Sequence, residues 1–276
     1  MSWVLPAIGF VLVLVQYYHH QTLAVADAEY PVMPPVAKVS VVTPAYNEEN
    51  YIERALQSIQ SQNIVSIYPE AFEFIVVDNE SEDATAEIAA KYARVVSAPR
   101  GYVNALAKGF AEATGDIVAF VDADSIAGPN YLNLLLSHFN NPEVVAVSGN
   151  IHDTEWANPV MAVVGVYSGY LNEMLTPWIK SNQMSYYGGA NAIRKDAWIA
   201  LGGYDLTIDQ QDRKACHKET EVEFWYKLKT IGTVIYDGRA TLKVEPRMFL
   251  CQKIDCQNEQ HPYCGYCEEM KAKQRF

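Results

Sequence analysis

"FEFIVVDNESEDATAEIAAKYARVVSAP", Phe72 to Pro99, holds two short apolar runs separated by a stretch of helical spacing. "FEFIVVD" is short, rich in β-branched and aromatic residues and followed by turn-formers, which predicts a buried strand. "SEDATAEIAAKYA" predicts a helix, with Ser81 as N-cap and acidic residues in the first turn, where they complement the helix dipole. "ARVVSAP" predicts a further strand. Strand, helix, strand in so short a span is the unit that builds a parallel sheet, because a crossover returns the chain in the same direction.

The same alternation extends both ways. "KVSVVTP" (Lys38–Pro44) predicts the first strand, and "NEENYIERALQSIQSQ" a helix with Ile52, Ala55, Leu56 and Ile59 on one face. "YVNALAKGFAEATG" predicts a helix ended by Gly115, and "DIVAFV" a fourth strand. The expected fold class is therefore α/β, with a mostly parallel, Rossmann-like central sheet flanked by helices. The 276 residues, 50% hydrophobic, suffice for one such domain with additions at its ends. With 21 Lys+Arg against 33 Asp+Glu the net charge is -12, which repels a phosphate backbone and argues against nucleic acid as a partner. P-loop, HExxH and dinucleotide-binding glycine fingerprints are absent.

Polar residues follow each predicted strand: Asn47, Glu48 and Glu49 after the first, Asp78 and Asn79 after the second, Arg100 after the third, Asp122 and Asp124 after the fourth. The C-terminal ends of parallel strands share one edge, where open α/β sheets bind ligands. Asp122 and Asp124, two apart, are expected to project to one side, and clustered carboxylates suit Mn²⁺ or Mg²⁺ completed by substrate phosphates. The alternative is that either aspartate merely caps the following turn.

These residues resemble glycosyltransferase family 2, the inverting nucleotide-sugar transferases of the GT-A fold. "VVTPAYNEENYIERALQSI" looks like the family's opening strand and loop, "FIVVDNESEDAT" like its usual V-D-D-G-S-x-D-x-T, and "VAFVDADS" like its metal-binding D-x-D. "YYGGANAIRKDAWIALGGYD" is similar to its acceptor-side motif ending G-G-[FY]-D. The resemblance runs from about Lys38 to Glu245. It implies that Pro44, Ala45, Tyr46, Glu48 and Asp78 hold the nucleoside, that Asp122 contacts ribose or a metal-bound water beside Ala123, and that Asp124 ligates Mn²⁺ or Mg²⁺. Arg100 and Lys108 become candidate donor contacts, Lys108 being equally well read as part of a solvated helix face. "GGAN" (Gly188–Asn191), with Gly189, would allow close approach of donor sugar or acceptor.

Family members usually carry Glu-Asp on the helix after G-G-[FY]-D, the Asp serving as base. Here Thr220 and Glu221 stand in those places, which makes Glu221 the expected base and Glu219 the second choice. The implied enzyme is a metal-dependent, inverting glycosyltransferase of the hexosyltransferase class, moving one sugar from a nucleotide-diphosphate sugar to an acceptor hydroxyl or a glycan or lipid-linked acceptor. A Q-x-x-R-W signature of processive synthases is missing after Glu223, which favours single-sugar transfer. A nucleotidyltransferase would need a glycine-rich basic loop after the first strand, whereas "TPAYNEE" is acidic. The Thr220/Glu221 departure keeps a catalytically inactive sugar-nucleotide-binding or scaffold protein as the alternative.

The ends fall outside this pattern. Residues 1–25 are uncharged and apolar from Trp3 to Val15, and the expectation is a single-pass N-terminal anchor with the catalytic domain in the cytoplasm, since Lys38 and Arg54 follow the segment and no cation precedes it. A buried or peripheral helix and a cleaved signal are the alternatives. Residues 26–37 read as a Pro-stiffened linker, 38–125 as the nucleotide-binding half, 126–248 as the acceptor half, and 249–276 as a Cys-rich tail. Cys251, Cys256, Cys264 and Cys267 offer four thiolates for a structural Zn²⁺, or remain reduced or disulfide-paired.

Overall fold

Every residue of β1 (Val39–Ala45) is buried, as befits a parallel strand covered on both faces. The computed structural model describes residues 37–153, 190–204, 206 and 218–244, with 152–153 and 218–222 as backbone alone. β1 lies beside β2 (Phe72–Asp78) and β4 (Ile117–Phe120), and β2 beside β3 (Arg94–Ser97), all parallel. β5 (Ser125–Ala127), β6 (Val144–Asp153), β7 (Asn191–Arg194) and β8 (Thr233–Val244) extend this into one sheet of order β3-β2-β1-β4-β7-β6-β8-β5. The expectation of a mostly parallel sheet holds for β1 to β4. Beyond them β7 runs antiparallel to both β4 and β6, and β5 antiparallel to β8, while β6 and β8 are parallel.

α1 (Ile52–Gln60) buries Ile52, Ala55, Leu56 and Ile59, the face its spacing predicts. α2 (Asn63–Ile67), α3 (Thr85–Ala89), α4 (Tyr102–Glu112), α5 (Tyr131–Ser137), α6 (Lys195–Ala200) and α7 (Lys218–Ile231) complete the described helices. One face of the sheet carries a core of Val39, Val41, Ile59, Tyr131, Leu132 and Leu135, the other a core of Val42, Leu106, Phe110, Phe120, Trp225 and Leu228. Full burial of a side chain such as Phe110 is worth about 1.5–3 kcal/mol, so α4 is seated by its packing face rather than by its ends.

Two local expectations are corrected. Ser81 is not an N-cap: α3 starts at Thr85 with no side-chain cap, and the Ser81 hydroxyl instead accepts from the Asn47 N–H at 3.1 Å. α4 ends at Glu112, short of Gly115, whose N–H donates to Ser40 Oγ at 2.8 Å and so joins the next strand to β1.

The expected anchor and the membrane-associated, cytoplasm-facing placement that followed from it are also corrected. Among the described residues no helix is long and apolar enough to cross a membrane. The apolar run of the sequence from Trp3 to Val15 is shorter than the roughly 20 residues a spanning helix needs. Residues 1–36 and the tail cysteines Cys251, Cys256, Cys264 and Cys267 lie outside the described residues.

β6 and β8 part company at a bulge. Ser148 pairs with Tyr236 and Asn150 with Thr241, so residues 237 to 240 stand opposite Gly149 alone. A turn centred on Asp237 braces the excess: its carboxylate takes Arg239 Nε at 2.8 Å and an Arg239 terminal amine at 2.6 Å, and lies 2.8 Å from His138 Nε2. Burial pushes the Asp237 carboxyl up, but Arg239, His138 and the Arg239 N–H together hold it well below the usual carboxylate range. A depressed pKa contributes stability that is fully present above the unfolded value of about 4 and is lost as pH falls below it toward the folded value. Asp237→Asn is therefore expected to cost about 2 kcal/mol at neutral pH and to flatten the loss of stability below pH about 4. Urea unfolding at several pH values checks both; a variant with unchanged acid sensitivity would assign that loss to other carboxylates.

Candidate active site

Ala45, Asp78 and Ser97 lie in one row across β1, β2 and β3. Phe120 pairs with Val42, so Asp122 leaves β4 at the level of Pro44. Pro44 and Ala45 are buried, and Tyr46 and Asp78 are half-buried at the same edge. Val121, Ala123 and Ser125 are buried while Asp122 and Asp124 are half-buried, the alternation expected of two carboxylates sharing one side. Tyr131 sits beneath this turn, its hydroxyl donating to the Phe120 carbonyl at 3.3 Å. Burial, with the Asp122 charge adding to it, pushes the Tyr131 phenol well up.

The loops after β1 and β2 are laced together. The N–H groups of Asn47, Glu48 and Glu49 donate to Ser81 Oγ (3.1 Å), Thr85 Oγ1 (2.7 Å) and Asp83 Oδ2 (3.2 Å). In return Asn47 Oδ1 accepts from Glu82 N–H at 2.9 Å and Glu49 Oε2 from Ala84 N–H at 3.2 Å. Burial pushes the Asp83 carboxyl up, but bonds from Thr85 and the Glu49 N–H hold it below its ordinary value. Asn47 and Glu49, gathered from sequence as site residues, thus brace the loops, as do Ser81, Asp83 and Thr85, which the sequence reading missed as partners. Glu80 has φ 63 where the family usually carries Gly, a conformation costing about 1–2 kcal/mol in a residue with a Cβ.

The third loop closes over the others. The Arg100 guanidinium lies 4.2 Å from the Tyr46 ring centroid, and Asn79 Nδ2 donates to the Gly101 carbonyl at 2.9 Å. Lys108 is not brought to this edge. Its ammonium pairs with Glu112 at 2.8 Å, and Lys108 and Arg94 hold the Glu112 carboxyl down at about 2. Arg94 opens β3 at the opposite edge of the sheet, so the solvated-face reading of Lys108 is the one its position favours.

On the acceptor side Asn191 pairs with both Phe120 and Ser148 and opens β7 at the site edge. Gly189 lies outside the described residues. Arg194, the basic residue of the acceptor-side motif, is at the far end of β7, where it donates to the carbonyls of Val144 (2.7 Å) and Phe139 (2.8 Å) and holds the turn before β6. Gly202 and Gly203 have φ +78 and +74, which residues with a Cβ rarely adopt, and this turn delivers Tyr204 against Phe224 of α7 with ring centroids 4.7 Å apart. Gly202, Gly203 and Tyr204 therefore seat α7.

α7 precedes β8, which is parallel to β6 and hence to β4. A helix feeding a strand directly runs back against it, so the N-terminus of α7 lies toward the site edge. From Ile231 back to Glu221 is about 15 Å of helix, matching about 16 Å of strand from Val144 to Gly149. Along the sequence Glu221 stands three and four residues before Phe224 and Trp225, both buried. Glu223 is exposed and pairs with Lys227 at 2.8 Å.

Among the described residues no group of three or more His, Cys, Asp or Glu side chains is arranged to hold a metal by itself. Two carboxylates on one side of a turn fit instead a hard divalent cation that takes its other ligands from water and phosphate. Asp124 and Asp122 are the residues that would hold it.

A half-parallel sheet with Asp78, Asp122 and Asp124 at the C-terminal edge of its parallel part fits the GT-A class of α/β fold. Within that class the chain belongs to glycosyl transferase family 2, whose model matches residues 40–202. It is 32% identical over 118 residues to the uncharacterized glycosyltransferase alr2836 of Nostoc sp., covering 40% of this chain and 35% of that one. It is 26% identical to the glucosyl-dolichyl phosphate glucuronosyltransferase of Haloferax volcanii, covering 77% of this chain and 70% of that one. The fold is also that of the mannosyltransferase PcManGT from Pyrobaculum calidifontis, solved with GDP-Man and Mn²⁺, with TM-score 0.54, 19% identity, and coverage of 87% of this chain and 66% of that one. The chain spans 35 to 47% of the length of the curated relatives from Nostoc, H. volcanii (AglE) and Mycobacterium tuberculosis that it matches.

Proposed function

We propose that this chain is a metal-dependent, inverting glycosyltransferase that moves one sugar from a nucleotide-diphosphate sugar to an acceptor hydroxyl, with residues 38–248 as its catalytic unit. The observation that carries the reading is the convergence of Asp78, Asp122, Asp124 and the N-terminal end of α7 on one sheet edge. In this reading Tyr46, Glu48 and Asp78 receive the nucleoside, and Arg100 borders it. Asp124 and Asp122 hold Mn²⁺ or Mg²⁺, which when bound neutralises charge on the departing diphosphate. Glu221 takes the proton of the acceptor hydroxyl as that oxygen bonds to the anomeric carbon, opposite the breaking bond to phosphate. The configuration inverts because attack and departure occupy opposite faces.

The GDP-Man and Mn²⁺ of the P. calidifontis neighbour support this donor class, and the H. volcanii relative's name supports a dolichyl-phosphate-linked sugar among the acceptors to try. The test is calorimetric binding of UDP-, GDP- and dTDP-sugars to the full chain with and without Mn²⁺. Metal-dependent binding of one donor supports the reading. Folded protein that binds no donor would leave the inactive scaffold as the better account of the Thr220/Glu221 departure.

A further inference from the structure

Residues Arg100 to Tyr102 are tied to three strand ends at once. Arg100 lies over Tyr46 beyond β1, the Gly101 carbonyl accepts from Asn79 beyond β2, and the Tyr102 hydroxyl donates to Asp122 Oδ1 at 3.1 Å beyond β4. Gly101 has φ 134 and ψ 129, outside the range of L residues, and this lets its two neighbours serve different strands. Asn79 is only 5% exposed, and its amide donates where an aspartate, the residue usual in the family, would have no proton to give. Tyr102 opens α4, whose Val103, Leu106 and Phe110 are buried, so its backbone is held from below.

We propose that Tyr102 is a positioning residue: its hydroxyl fixes the orientation of the Asp122 carboxylate, and the Asn79–Gly101 bond holds Tyr102 in place to do so. A carboxylate's terminal torsion is soft, and an O–H bond to an ionised oxygen is among the stronger ways to fix it. This rests on the reading of Asp122 as a contact to the donor or its cation.

The test titrates Mn²⁺ into the full chain with saturating UDP, GDP or dTDP, whichever the wild type binds, and counts free Mn²⁺ by its electron paramagnetic resonance signal. Tyr102→Phe is expected to weaken Mn²⁺ binding about tenfold, the low end for groups that orient a metal ligand, with an unchanged thermal unfolding midpoint. Asn79→Asp is expected to move it in the same direction. Unchanged Mn²⁺ affinity in Tyr102→Phe, with affinity lost in Asp124→Ala, would overturn the proposal and leave the functional reading standing. Folded wild type that holds no Mn²⁺ with UDP, GDP or dTDP overturns that reading, and the positioning role with it.

Discussion

Glu221→Gln is expected to lower sugar transfer about 10²–10⁴-fold, the usual contribution of a positioned general base, while leaving donor binding intact. The amide keeps the size and hydrogen-bonding reach of the carboxylate but accepts no proton at neutral pH. Glu223, two residues on, is exposed and paired with Lys227, which leaves Glu221 and Glu219 as the carboxylates of this run to test. Glu221→Asp, which restores the residue usual in the family, is expected to retain far more activity than Glu221→Gln. Product formation and donor binding measured on one preparation decide the matter. Full transfer by Glu221→Gln would move the base to Glu219, whose own glutamine variant would then be the one to lose activity.

Asp124→Ala is expected to weaken Mn²⁺-dependent donor binding about 100-fold, the effect of leaving a bound charge without its partner, and to leave metal-free binding unchanged. Asp124 is half-buried beyond β4, between the buried Ala123 and Ser125, so its loss removes a ligand without opening the core. Donor titrations with Mn²⁺ and with chelator give four affinities whose ratio isolates the metal's share. Equal stimulation by Mn²⁺ in the two proteins would free Asp124 of the metal and return it to turn capping.

Periodicity served best where the structure is buried and regular. The face of α1 and the bounds of β2 follow from residue spacing, because an amphipathic helix and a covered strand leave one arrangement that buries their apolar residues. Polar residues at strand ends were legible as a group, since parallel strands must end together. Their individual roles were not. Asn47 and Glu49 lie in a run that reads as ligand-facing, yet their bonds go to residues 34 to 35 positions away. Lys108 reads equally as a donor contact or a solvated helix face until Glu112, itself paired with Arg94, is seen to hold it at the other edge.

By itself the sequence determined the parallel β1–β4 unit, the carboxylates on its edge and the family, because these depend on local period and on the order of motifs along the chain. Only the tertiary structure decided that Arg194 clamps a turn, that Tyr204 seats α7, and that Tyr102 reaches Asp122. Those contacts join residues far apart or on different elements. Their partners are chosen by strand order and by the reversal at β7, which no short-range pattern encodes.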